Sequence, residues 1–198
     1  MTRCYYFLLL LLGLSTGVSR SRAEQFLSFA DAKKLCFTNA TRFEDVQLRL
    51  SSTDRKAIET AAGVKARNLE LKLAKAWNNG TLLGTIWLDQ VIGKHELIDY
   101  VVAISPEGKV TQVEILEYRE HYGGQIRQQD WRAQFKDKTA DAPLKHGKDI
   151  YNISGATLSC RHVTEGVKRV LATHSHLRGR LLNAADKRVQ PSASSAGK

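Results

Sequence analysis

The chain has 198 residues and a formal net charge of +10, a length for one domain with appended ends and a sizeable core. The charge is concentrated at the ends: Arg3, Arg20 and Arg22 stand without an acid in residues 1–23, and five cations face only Asp186 from His174 onward, so the body keeps about +3. With neither a basic face nor a nucleic-acid module, the pattern excludes a nucleic-acid partner.

Arg3, the apolar run from Tyr5 to Leu14 and the closing Ser21-Arg22-Ala23 have the order of a secretory signal, with cleavage after Ala23. The run is short for a membrane span. Residues 1–23 are therefore expected to be a signal peptide, and the mature chain to work in the periplasm or elsewhere outside the cytosol. Cys4 lies before the run, not after it as a lipidated cysteine would. Cys36 and Cys160 remain, and their separation leaves open whether they pair. If unpaired, Cys160 on a first helical turn would have a lowered pKa.

Residues 24–67 read as an N-terminal helical segment. Gln25 to Cys36 offers Phe26, Phe29, Ala32 and Leu35 for one face, and Ser52-Thr53-Asp54 caps a second helix that Gly63 stops. From Asn68 the period becomes two: Leu69, Leu71 and Leu73 alternate with polar residues, and Asn78-Asn79-Gly80 turns into Leu82–Leu88. Further strands follow at Ile98–Ile104 and Val110–Leu116, joined by Pro106-Glu107-Gly108. His95 and Glu96 read as polar loop or strand-start residues. Residues 68–173 are thus expected to be a single α+β domain, an antiparallel sheet with flanking helices. Residues 174–198 read as a basic, disordered tail, available for peripheral contact with an anionic membrane.

Near the end of that domain Ser154-Gly155-Ala156-Thr157-Leu158-Ser159 feeds a helical apolar stripe, Val163, Val167, Val170 and Leu171. Thr157 and Ser159 are natural N-caps. A loop of small residues entering a helix N-terminus suits a phosphate, which meets free N–H groups and the positive end of the dipole. Upstream lie Glu120, Tyr122 and Gly123, then Ile126, Trp131, Phe135 and Lys138. Tyr122 is equally a cofactor wall and a packing residue, and Trp131 reads as core.

The string Ser154–Ser159 resembles the flavinylation motif of the FMN-binding domain family, which includes flavin-bearing components of the sodium-translocating NADH:quinone oxidoreductase and of the Rnf complex. Glu120 to Lys138 resembles the family's second conserved stretch in a degraded form. The resemblance implies FMN as cofactor, joined by a phosphodiester to Thr157 through a separate flavin transferase. It marks Ser154, Gly155, Ala156, Thr157 and Ser159, with Glu120, Tyr122 and Gly123, as cofactor-binding residues. Tyr151 stands where the family has Asp, and Asp149 is the nearest acid. Two alternatives therefore stay open: non-covalent FMN binding, and a structural domain that has lost its flavin.

No Ser-His-Asp set, carboxylate pair or metal cluster is marked out along the chain, so an electron-transfer component is expected in preference to a free-standing enzyme. Its implied partners are the transferase and membrane-bound or soluble electron-transfer proteins.

Overall fold

The computed structural model describes residues 24–120 and 122–186. The signal-peptide reading of residues 1–23, and the last part of the tail, fall outside them. Six strands form one antiparallel sheet: β1 (Glu24–Gln25), β2 (Arg42–Arg49), β3 (Glu70–Asn78), β4 (Thr81–Ile92), β5 (Leu97–Ile104) and β6 (Val110–Tyr118). Their spatial order is β1-β6-β5-β4-β3-β2, a meander from β2 to β6 with β1 added beyond β6. Each close turn has its chemical cause. Asn79 and Gly80 both take positive φ between β3 and β4, and Gly108 does so between β5 and β6.

Alternation along β5 sorts the core into two layers. Tyr100, Val102 and Ile104 face the larger cluster, while Val101 and Ala103 face the smaller one. Helix α1 (Phe29–Cys36) covers the smaller face. The larger face is covered by α2 (Ser52–Ala62), by the segment that contains α3 (Gln129–Ala133), and by α4 (Thr157–Asp186). The expected α+β sheet with flanking helices is what the chain forms. Ser51 caps α2 through a reciprocal box with Asp54, and Gly63 closes it in the left-handed conformation.

Two boundaries differ from the sequence reading. Residues 42–49 form β2, paired with β3 from Arg42↔Trp77 to Arg49↔Glu70, so residues 24–67 contribute strands to the same sheet. Four of the eight β2 residues are charged, as suits a solvent-facing edge strand, and that hid its alternation. At the other end α4 passes residue 173 and runs to Asp186, because His174, Leu177 and Leu181 continue its buried stripe.

Helix α4 lies close to the sheet because Gly166 has no side chain. A Cβ there would sit 1.9 Å from the Tyr100 hydroxyl. Tyr100 donates that hydroxyl to Asp89, and Arg169 on α4 meets the same Asp89 oxygen at 2.6 Å. A partly buried ion pair and hydrogen bond thereby lock helix to sheet beside the contact.

Cys36 and Cys160 are both free thiols. Cys36 packs on the α1 face and Cys160 on the α4 face, with the sheet between them. Burial, with Glu114 adding, pushes Cys36 up to about 12. Cys160 also moves up, because burial outweighs the backbone N–H groups near it. This reverses the lowered pKa expected from a first-turn position.

Candidate functional site

The motif helix starts at Thr157, and Ala156 is its N-cap: the Ala156 carbonyl accepts the first helical bond, from Cys160 N–H at 2.9 Å. Neither Thr157 nor Ser159 caps it, contrary to expectation, since both lie inside the first turn. An alanine has no side-chain acceptor. Among the described residues nothing accepts from the N–H groups of Thr157, Leu158 and Ser159, which remain open to a ligand. Gly155, at φ +80°, makes the turn that aims the chain into this helix.

The open helix end forms one wall of a cavity of about 550 Å³. Gly155, Ala156, Thr157, Leu158 and Ser159 line that wall; Glu120 and Tyr122 line a second, with Lys94, His95 and Glu96 opposite. Six of the eight residues expected from the sequence thus share one cavity with Leu158. Gly123 lies just behind it: its left-handed backbone sits against Ala156 and the Tyr118 hydroxyl, where a Cβ would approach within 3.0 and 2.7 Å. Ser154 is adjacent in the motif loop but is not part of the lining. Trp131 is buried, donates Nε1–H to the Tyr151 carbonyl at 2.9 Å, and stacks edge-on against Phe135. It supports the loop from behind, as a core residue.

Glu120 has a more specific task than contact with a ligand. Its Oε1 accepts from the backbone N–H of Lys94, of His95 at 2.5 Å and of Glu96 at 2.9 Å. Burial raises its pKa, but the three N–H donors outweigh that and hold it below the usual range. The carboxylate therefore folds the 93–96 loop into a cavity wall. Gly93 permits this, since a Cβ there would lie 2.7 Å from Glu120 Oε1. Lys94, His95 and Glu96 carry too little local pattern to be marked from sequence; their signal is Gly93 before the strand, facing an acid far along the chain.

The hydroxyls of the helix start are held individually. Tyr118 donates to the Tyr122 carbonyl at 2.5 Å and lies 3.3 Å from Ser159 Oγ. Thr157 Oγ1 accepts from Asn152 Nδ2 at 3.1 Å, and His146 Nε2 donates to Asn152 Oδ1 at 3.1 Å. Asn152 thus occupies one lone pair of Thr157 Oγ1. Arg161, near the helix start, is engaged by Glu165 at 2.9 Å. Tyr151 is 72% exposed, with its N–H on Gln134 Oε1 at 2.6 Å. Its side chain belongs to the surface outside the cavity.

Residues 93–172 match the family described as the FMN-binding domain. Those residues carry the signature of an FMN-binding domain. The match begins at the glycine that Glu120 packs against and ends within α4, so it encloses every wall of the cavity. Over 81 residues the chain is 36% identical to the G component of the proton-translocating ferredoxin:NAD(+) oxidoreductase complex of Clostridium ljungdahlii, covering 37% of this chain and 44% of that protein. The chain therefore matches less than half the length of that relative. The crystal structure of Shewanella oneidensis NqrC shares the fold, with a TM-score of 0.53 at 15% identity over 76% of this chain and 88% of that one. The cofactor of an FMN-binding domain fits what lines this cavity. Its volume is in the range of small-molecule sites, Ala156, Leu158 and Tyr122 offer apolar surface, and the uncapped N–H groups offer a phosphate seat.

Proposed function

We propose that the chain is an extracytoplasmic electron-transfer flavoprotein whose FMN is esterified through its phosphate to Thr157. One observation carries the reading: Thr157 lines a flavin-sized cavity at an uncapped helix N-terminus. Bound FMN would supply one- or two-electron chemistry. The protein's part is placement. The first turn of α4 seats the phosphodiester, where the helix dipole favours its remaining negative charge. Asn152 fixes the Thr157 rotamer, and Glu120 keeps the 93–96 wall folded. Tyr122, 84% exposed at the rim, is positioned to cover a ring face. Attachment outside the cytosol prevents loss of the cofactor by diffusion, and the signal-like residues 1–23 support that location. A transferase installs the flavin, and a membrane-associated redox protein exchanges electrons with it.

A second reading, non-covalent FMN, is favoured by Tyr151 in place of the family's acid. That position lies on the surface, so the replacement changes what a transferase meets and leaves the cavity as it is. Acid precipitation separates the two readings. Flavin absorbance that stays with the precipitate supports the ester, and absorbance released to the supernatant supports the second reading.

A further inference from the structure

A second cavity, also of about 550 Å³, opens on the far side of the 92–97 loop. It lies between the α2–β3 connection, the end of β4 and the outer side of α4. Its apolar surface comes from Val64, Val91, Ile92 and Leu97, and the last two are among the few large aliphatic side chains left exposed. Its charged groups divide into those held in ion pairs and those outside them, Lys65 acting on Glu59 only through its field. Arg169 is committed to Asp89 and Glu165 to Arg161. The exposed side chains of Lys65 and Arg67 make no ion pair or hydrogen bond with any described residue. They flank the buried Ala66, so both cations stand at the same mouth.

A cavity with an apolar wall of four aliphatic side chains, a polar remainder and two cations outside any ion pair or hydrogen bond among the described residues selects an amphipathic anion. We propose that this cavity binds a small soluble molecule with an aromatic or aliphatic body and a carboxylate, phosphate or sulfonate head. Val64, Val91, Ile92 and Leu97 take the body, and Lys65 and Arg67 take the head. A concave site of this volume suits one discrete molecule; a lipid surface would need a convex, projecting one.

The site is in mechanical contact with the other cavity. His162 lines it and has Nδ1 2.6 Å from the Ile92 carbonyl and 3.0 Å from the Gly93 carbonyl. Two carbonyl partners place the proton on Nδ1. That ring ties α4 to the very loop whose next three residues, Lys94 to Glu96, wall the flavin cavity. A ligand here sits one loop away from the flavin.

The test is an amide NMR titration of the full-length chain carrying its FMN, using naphthalene-2-sulfonate as probe. The proposal predicts saturable shifts that are largest at Gly63, Asn68 and Gly93. Lys65→Glu/Arg67→Glu should raise the apparent Kd at least tenfold while leaving the remaining spectrum in place, because both side chains are exposed. The uncharged naphthalene-2-sulfonamide should bind at least tenfold more weakly. Lack of saturation, a Kd indifferent to the double substitution, or shifts largest at Gly155 and Thr157 would each overturn it. So would failure to bind the probe combined with charge-dependent cosedimentation on phosphatidylglycerol vesicles, which would assign the cations to a lipid surface.

Discussion

Thr157 is held by one neighbour, Asn152, whose exposed side chain also accepts from His146. A neutral hydrogen bond contributes about 1 kcal/mol, or roughly a fivefold effect. Asn152→Ala should therefore slow flavin attachment by a transferase about fivefold at unchanged thermal stability, measured as bound flavin against time. Position 151 offers the opposite test. Tyr151→Asp restores an acid on the exposed surface beside the loop, so it should raise the extent of modification without altering flavin absorbance once attached. His174 serves stability. It is almost fully buried, with Nδ1 near Thr85 Oγ1 and Nε2 without a partner among the described residues. Burial first, and Arg178 second, depress it from 6.5 to about 4. Between those values the unfolded chain binds a proton that the folded chain does not. Stability from this residue is then full above pH 6.5, falls as the pH drops toward 4, and is level below that. The loss approaches roughly 3 kcal/mol. Urea unfolding from about pH 7 to about pH 4 should show that slope in the wild type and a shallower one in His174→Phe.

At the scale of elements, the approach of α4 to β5 is the contact most exposed to a single atom. Gly166→Ala forces its methyl onto the Tyr100 hydroxyl, and the shift of a packed helix costs about 2–3 kcal/mol. Calorimetric melting should show the loss, and adding Tyr100→Phe should recover part of it, since the nearest clash is with the hydroxyl itself. Helices and strands with strong local pattern were legible from sequence: α2 by its Ser/Thr/Asp start and terminal glycine, although the cap is Ser51 and not Ser52-Thr53-Asp54, and β3–β4 by alternation and Asn78-Asn79-Gly80. Strand β2 was not, because a charged edge strand is stabilised by pairing with β3 and carries little hydrophobic period. The last turns of α4 were missed because His174 and polar neighbours interrupt a stripe that Leu177 and Leu181 then continue.

For the whole molecule, one sheet brings together parts of a site that lie far apart in the chain. The motif residues Gly155 to Ser159 were visible as a unit, and Glu120 and Tyr122 followed from the second stretch. The wall at Lys94–Glu96 was not, because its place depends on Glu120 accepting three N–H groups from 24 to 26 residues upstream. No local pattern encodes such a contact. Glu120 gains loop support as a task beside its place in the cavity wall. The central claim is that FMN is attached at Thr157, and the intact mass of the protein exported from a host with a flavin transferase, followed by peptide mapping, tests it most directly. The expected result is an added FMN phosphoester on the Thr157 peptide that is absent in Thr157→Ala. An unmodified Thr157 peptide beside an active transferase would contradict it.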